Sequence, residues 1–344
     1  MTASANDPRK FFRGSVAISG GRISSVLPAT PDNGSDDRGT ESENRSRRVI
    51  DAGGKLLMPG LINLHNHVAM SLMRNYADDL PLMEWLADRV WPFEAKLTGD
   101  DVYLGARLGI AEMLLGGTTT FVDMYWHADR VAEAVLESGM RAVVCPAFID
   151  TNYEAFERET VRLVERYAGA DGGRLGVRIA PHAPYTCSPE SVRKALSLCE
   201  RYGLGIHVHL SETRSETETI RQRYDKTPTE YLRDLGVFDY PTLAVHCVHL
   251  TEEDMDILLR YGVSVAYNPQ SNMKLASGIA PVARMIGRGL TVGIGTDGPC
   301  SNNDLDMWDE MRTASLLQKV ATGDASVLPA YETLRMGTVG GACA

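Results

Sequence analysis

Nowhere in the 344 residues does an apolar run reach the roughly 18 positions that a membrane-spanning helix needs. The first ten residues, Met-Thr-Ala-Ser-Ala-Asn-Asp-Pro-Arg-Lys, also lack the apolar core of a signal peptide. A soluble, cytoplasmic protein with no membrane partner is expected. Cysteine is sparse, at 145, 187, 199, 247, 300 and 343, and no two form a Cys-x-x-Cys pair. That spacing excludes a small disulfide framework, so most of these thiols should be reduced and buried. Positive charge is in deficit, with 35 Lys and Arg against 45 Asp and Glu and a net charge of −10. No dense basic stripe exists, and Arg45, Arg47 and Arg48 sit in a polar segment, so nucleic acid is not an expected partner.

What is present is core-forming material, since 44% of the residues are hydrophobic. Residues 1–10 read as a tail, and residues 14–26 as two short strands turned at Gly20-Gly21. Residues 28–48, rich in Asp, Ser, Gly, Asn and Arg, read as a solvated loop, and residues 49–51 as a further strand. Residues 1–56 are therefore expected to form part of a small β lobe, which two or three short strands cannot sustain alone.

From residue 57 to 344 the rhythm changes to short apolar runs alternating with helical patterns. Eight runs stand out: 57–64, 118–124, 142–149, 175–181, 205–210, 243–248, 263–268 and 290–296. Helical stretches separate them at 100–115, 128–138, 154–167, 188–202, 229–235, 252–261 and 281–287, with a long one at 304–322 after the last. Eight nearly continuous apolar strands alternating with helices are what a parallel (β/α)8 barrel of the TIM type requires, because its strands are covered on both faces. The competing doubly wound sheet lacks support, as no Gly-x-Gly-x-x-Gly follows a strand.

Barrel chemistry sits at the C-terminal ends of the strands. There the first run ends in His65-Asn-His67, whose side chains share one side of a strand. His209 ends the fifth run and Asp297 follows the eighth. Three imidazoles and one carboxylate suit a single Zn²⁺, or another divalent ion such as Fe²⁺ or Mn²⁺, with room left for water. A second metal would need a bridging ligand such as a modified lysine after the fourth strand, where the chain reads Arg178-Ile-Ala-Pro-His-Ala-Pro-Tyr185.

His246 ends the sixth run and could ligate metal, orient water or touch substrate. Glu212, three residues after His209, could shuttle protons to a substrate nitrogen or could be an ordinary acid in the first turn of a helix. His207 shares a face with His209 and is a candidate support for the ligands. His249 reads as structural and His127 as a capping or surface residue. Trp91-Pro-Phe-Glu94 and Ser301-Asn-Asn303 could each form pocket wall or merely turns.

Pro59-Gly-Leu-Ile-Asn-Leu-His-Asn-His67, Pro181-His-Ala-Pro-Tyr-Thr-Cys-Ser188, His207-Val-His-Leu-Ser-Glu212, Ala244-Val-His-Cys-Val-His249, Asn268-Pro-Gln-Ser-Asn272 and Gly295-Thr-Asp-Gly-Pro-Cys-Ser-Asn-Asn303 together resemble the amidohydrolase superfamily. Within it they are most similar to the 5-methylthioadenosine/S-adenosylhomocysteine deaminases. The resemblance implies one zinc per subunit on His65, His67, His209 and Asp297, with Glu212, His246 and Asp297 catalytic. It further implies that Glu94 holds ribose hydroxyls, that His182 contacts substrate, and that the chain is a homo-oligomer. Such deaminases often place an arginine after the third strand to hold the 5′ substituent; this chain reads Cys145-Pro-Ala147 there, which leaves Arg158 as the candidate.

The reaction implied is hydrolytic deamination of an adenosine-type nucleoside (5-methylthioadenosine, S-adenosylhomocysteine, 5′-deoxyadenosine or adenosine) to the inosine analogue and ammonia. The same site acting on guanine, cytosine or a triazine ring is the nearest alternative, and a catalytically silent metal-binding barrel is the alternative of another class. The resemblance also implies a small lobe completed by a C-terminal segment, which is not found before Ala344, so an exposed sheet edge is expected.

Overall fold

The computed structural model describes residues 11–29, 48–167 and 170–344. The expected tail at 1–10 and nearly all of the 28–48 loop lie outside the described residues. The chain divides into two units, Met1–Pro59 and Gly60–Ala344.

In the first unit, β1 (Gly14–Ser19) and β2 (Arg22–Pro28) pair antiparallel, with Ser19 opposite Arg22 and a register shift between Ala17 and Ile18. The turn between them places Gly20 at φ 57° and Gly21 at φ 74°, the left-handed pair that a tight hairpin demands and that glycine adopts without a Cβ penalty. Residues 49–51 do not form the expected strand, because no segment of that unit among the described residues pairs with them.

The second unit is the barrel. Its strands are β3 (Leu61–Asn66), β4 (Thr118–Tyr125), β5 (Arg141–Phe148), β6 (Leu175–Pro181), β7 (Gly205–Leu210), β8 (Thr242–His246), β9 (Ser264–Tyr267) and β10 (Val292–Ile294). Each is parallel to the next in chain order. The seam between last and first is held by hydrogen bonds: Asp297 N–H donates to His65 C=O at 3.0 Å, and the Asn63 amide donates to Thr296 Oγ1 at 2.7 Å. β3 starts later than its apolar run because Pro59 has no N–H to give a ladder. β10 is shorter than its run because the chain leaves the sheet at 295–297 to enter the site.

Between strands lie α1 (Gly99–Leu115), α2 (Ala128–Ser138), α3 (Tyr153–Tyr167), α4 (Pro189–Tyr202), α5 (Arg214–Tyr224), α6 (Pro228–Asp234), α7 (Glu252–Arg260), α8 (Pro269–Lys274) and α9 (Val282–Gly287), with α10 (Met307–Thr322) after β10. Their ends follow the sequence chemistry. Thr98 and Asp101 close a reciprocal capping box on α1, a device worth about 1 kcal/mol, and Gly139 and Gly203 end α2 and α4 in the left-handed conformation. The sequence pattern allowed a helical first turn near Glu212 but did not extend it over α5. Inward-facing Leu64, Val122, Met124, Cys145, Leu243 and Val245 belong to one buried cluster that fills the barrel. Five of the six cysteines are free and buried, and Cys343 is free and exposed. No described helix is long and apolar enough to cross a membrane.

Candidate metal centre and active site

The C-terminal ends of β3, β7 and β10 bring His65, His67, His209 and Asp297 together. Asp297 Oδ1 lies 3.2 Å from Nε2 of both His65 and His67, and Nε2 of His65 lies 3.3 Å from Nε2 of His209. The opposite edge of each ring is already engaged. His209 Nδ1 bonds to His182 C=O at 2.7 Å, His67 Nδ1 to Met124 C=O, and His65 Nδ1 to His207 Nε2 at 2.8 Å. With the ring hydrogens on Nδ1, three Nε2 lone pairs and a carboxylate oxygen converge on one point. Two imidazole nitrogens facing each other at that range repel unless a cation lies between them, and the donor set is one that a divalent metal accepts. His65, His209 and His246 form a second, overlapping group with metal-ligand spacing.

Burial dominates the electrostatics of these rings. It lowers His65 to about 4 against the pull of Asp297, and it drives His209 well below the usual imidazole range, with the neighbouring rings adding to the effect. At His67 burial acts in the same direction but is outweighed by Asp297 and the Met124 carbonyl, and the group is raised to about 9. For Asp297 burial is likewise outweighed, here by the two imidazoles, and its carboxyl is held well below the ordinary carboxylate range.

Backbone strain is concentrated here. His246 (φ 70°), Cys247 (φ 53°), Asp297 (φ 64°) and Ser211 (φ 50°) all occupy the left-handed region, unusual for residues with a Cβ and frequent at functional sites. The bends turn the side chains after β7, β8 and β10 from the ladder into the cavity. Gly295 permits a close approach beside the ligands: a Cβ there would stand 2.5 Å from Asn268 Oδ1 and 2.7 Å from His65 N.

Around the ligands stands a cavity lined by Glu94, His182, Tyr185, Glu212 and His246 on its polar side. Glu212 is buried, and it precedes α5, whose cap is Thr213, so it is not an acid of the helix's first turn. Glu212 Oε2 lies 3.7 Å from His246 Nε2, and Ser277 Oγ donates to Oε1 at 3.3 Å. Burial, then the charges of Asp297 and Glu216, push the Glu212 carboxyl well above its normal range. The amides of Asn272 and Asn268 donate to His246 Nδ1 at 2.9 and 3.3 Å, which leaves the ring hydrogen on Nε2. Burial lowers both His246 and His182 to about 3. Trp126 Nε1 donates to Glu94 Oε2 at 3.0 Å.

The chain belongs to the amidohydrolase family. The family's model matches residues 56–344. A 5-methylthioadenosine/S-adenosylhomocysteine deaminase of Desulforudis audaxviator is 52% identical over 335 residues, covering 96% of this chain and 76% of that protein. The enzyme of the same name from Pelotomaculum thermopropionicum is 50% identical over 334 residues, with 96% and 75% covered. Among solved structures, a zinc-bound adenosine deaminase from Xanthomonas campestris superposes with a TM-score of 0.84 at 35% identity, covering 96% of this chain and 74% of that one.

In this amidohydrolase the other expected site residues separate clearly. Arg158 does not reach the cavity: its side chain is 71% exposed on α3, 4.0 Å from Glu154, because it lies on the outward face of an amphipathic helix. His249 bonds to Ser277 C=O, and His127 is exposed at the start of α2 without a side-chain capping bond. The 301–303 stretch is the end of a short helix, Pro299–Asn302 capped by Asn303, in which Ser301 bonds to Gly298 C=O and Asn302 to Thr296 C=O. Sequence reading missed Ser271, whose hydroxyl donates to Asp297 Oδ2 at 2.6 Å, and Tyr185 and Trp126 on the cavity wall. It also missed the helical segment 82–90, π-helical over Trp85–Val90, whose Leu82, Trp85, Leu86 and Val90 join Trp91 and Glu94 of the 91–94 stretch in lining the cavity.

Proposed function

We propose that the chain catalyses hydrolytic deamination of an adenosine-type nucleoside, with zinc held by His65, His67, His209 and Asp297. The observation that carries this reading is the convergence of three Nε2 atoms and Asp297 Oδ1 beside the buried Glu212, whose carboxyl burial pushes above its ordinary range. The names of the half-identical relatives and the zinc of the Xanthomonas adenosine deaminase support it.

Zinc at this centre supplies a Lewis acid and makes water a nucleophile near neutral pH. Asp297 Oδ2, steadied by Ser271, takes the proton of the attacking water. Glu212 in its neutral form delivers a proton to a nitrogen of the purine ring, which drains electron density from C6 as the C6–O bond forms. His246 Nε2–H donates to the developing oxyanion, a donor role set by the two asparagine amides on its other nitrogen. Asp297 then passes its proton to the amino group, the C6–N bond breaks and ammonia leaves, and the proton of the C6 hydroxyl returns to Glu212 as the inosine analogue forms. Glu94 holds the ribose hydroxyls and His182 contacts the base.

Self-association of the chain is part of the reading. Exposed Leu104, Leu108 and Leu115 on α1, with Trp308, Leu316 and Val320 on α10, give it apolar surface, and sedimentation measures it. The test of the reaction is turnover in heavy-oxygen water. Label at the product's C6 oxygen, with stoichiometric ammonia, is the expected result, and product without label contradicts hydrolysis at that carbon.

A further inference from the structure

The relatives' shared name covers two nucleosides that differ only in what the 5′ sulfur carries: a methyl in one, a three-carbon chain bearing an ammonium and a carboxylate in the other. Deamination requires the purine at the metal centre, so the ribose and its 5′ group must meet the remaining wall. That wall is apolar, made of Met70, Leu82, Trp85, Leu86, Trp91 and Leu275. Trp91 and Glu94 lie three residues apart on one helical turn, so an indole stands beside the carboxylate proposed to hold the ribose.

Among the described residues no lysine or arginine lines the cavity. Arg89 and Lys96, which flank the wall in sequence, are exposed and outside its lining, and two other nearby cations have partners of their own. Lys274, next to Leu275, is engaged by Asp78 at 2.5 Å, Asn303 Oδ1 at 2.8 Å and Cys300 C=O at 3.0 Å. Arg74 pairs with Glu112 and the Asn303 carbonyl, and Arg158 is on the protein's outer face. The acids of the cavity, Glu94, Glu212 and Asp297, would meet a second carboxylate with repulsion where they carry charge. A substrate carboxylate brought against this wall loses water and gains no ionic partner, whereas a methylthio group loses only apolar hydration.

We infer that this site selects adenosines with a small uncharged 5′ substituent, 5′-methylthioadenosine and 5′-deoxyadenosine, over S-adenosylhomocysteine. The inference rests on the deaminase reading above and goes further by choosing within its substrates.

The test compares the specificity constants (kcat/KM) with which the zinc-loaded protein turns over the methylthio nucleoside, 5′-deoxyadenosine and S-adenosylhomocysteine. It also measures S-adenosylhomocysteine as an inhibitor of methylthioadenosine turnover. The expected result is at least a tenfold preference for each uncharged nucleoside, with S-adenosylhomocysteine inhibiting only at concentrations at least tenfold above those at which methylthioadenosine half-saturates the enzyme. Trp91→Arg, checked for fold by circular dichroism, should narrow the preference by placing a cation on the wall. Equal efficiencies within threefold, or tight inhibition by S-adenosylhomocysteine, overturn the inference while leaving the deaminase reading intact. Silence on every adenosine removes the reading itself, and the inference with it.

Discussion

His207 Nε2 lies 2.8 Å from Nδ1 of His65, with both side chains fully buried beneath the metal centre. His65 Nδ1–H therefore donates downward and Nε2 is left free for the metal. Nδ1 of His207 has no hydrogen-bond partner among the described residues, so the ring is retained at a cost in unsatisfied polarity. Because outer partners of metal-bound histidines typically govern affinity by 10- to 100-fold, His207→Ala should weaken zinc binding by about that factor. Competition with a chromogenic chelator measures it; affinity equal to wild type contradicts the orientation argued for His65.

In the proposed mechanism Glu212, beside Ser277 and His246, carries the proton that the ring nitrogen needs. Glu212→Gln preserves shape but removes the acid, and general acid–base groups contribute about 10²–10⁴ in rate. The variant should retain its zinc by elemental analysis while kcat falls within that range. Near-normal turnover would sink the assignment.

Asn272 sets the tautomer of His246 through its 2.9 Å bond to Nδ1. In Asn272→Leu the ring is free to move its hydrogen to Nδ1, and Nε2 ceases to be a donor. Loss of one preorganised donor to an oxyanion costs about 10²–10³ in kcat, an upper bound here because Asn268 remains. Steady-state kinetics should show the loss in kcat with KM little changed; a change in KM alone would assign His246 to ground-state binding.

Glu216 accepts the backbone N–H groups of Ser211 and Glu212 at 2.9 Å each and so fixes the turn that aims Glu212. Burial raises its carboxyl to about 7 from the ordinary 4.5, and Glu212, Tyr185 and Cys247 are the other titratable groups that sense its charge. Between those two values the folded chain holds a proton that the unfolded chain has released. Stability from this group is thus full below about pH 4.5 and is lost as pH rises through about 7, a change on the order of 3 kcal/mol. Denaturant unfolding across that window should give a steeper decline for wild type than for Glu216→Gln; identical slopes contradict it.

Much of this was legible in the sequence because barrels write their strands as apolar runs. The runs 175–181 and 205–210 are β6 and β7 to the residue, and the four proposed ligands stand at or just beyond strand ends. Glu212 was harder, since an acid before a helical pattern reads equally as a capping residue. Only the placement of Thr213 as the cap of α5 separates the two. Arg158 failed because a charged residue on an amphipathic helix looks the same in sequence whether it faces a pocket or water. The left-handed bends at Ser211, His246 and Asp297 had no signal at all, as glycine or asparagine would ordinarily mark them. The apolar wall of 82–90 was hidden for a related reason, although the 91–94 stretch after it reads as possible wall: Leu and Trp in a helix read as core.

Ammonia release from 5′-methylthioadenosine, by zinc-loaded protein, by protein stripped with a chelator and by Glu212→Gln, tests the central claim most directly. Turnover is expected in the first, loss in the second with recovery on adding zinc, and a fall of about 10²-fold or more in the third. Release that is indifferent to both zinc and Glu212, or no release from any adenosine by the zinc-loaded protein, would contradict it.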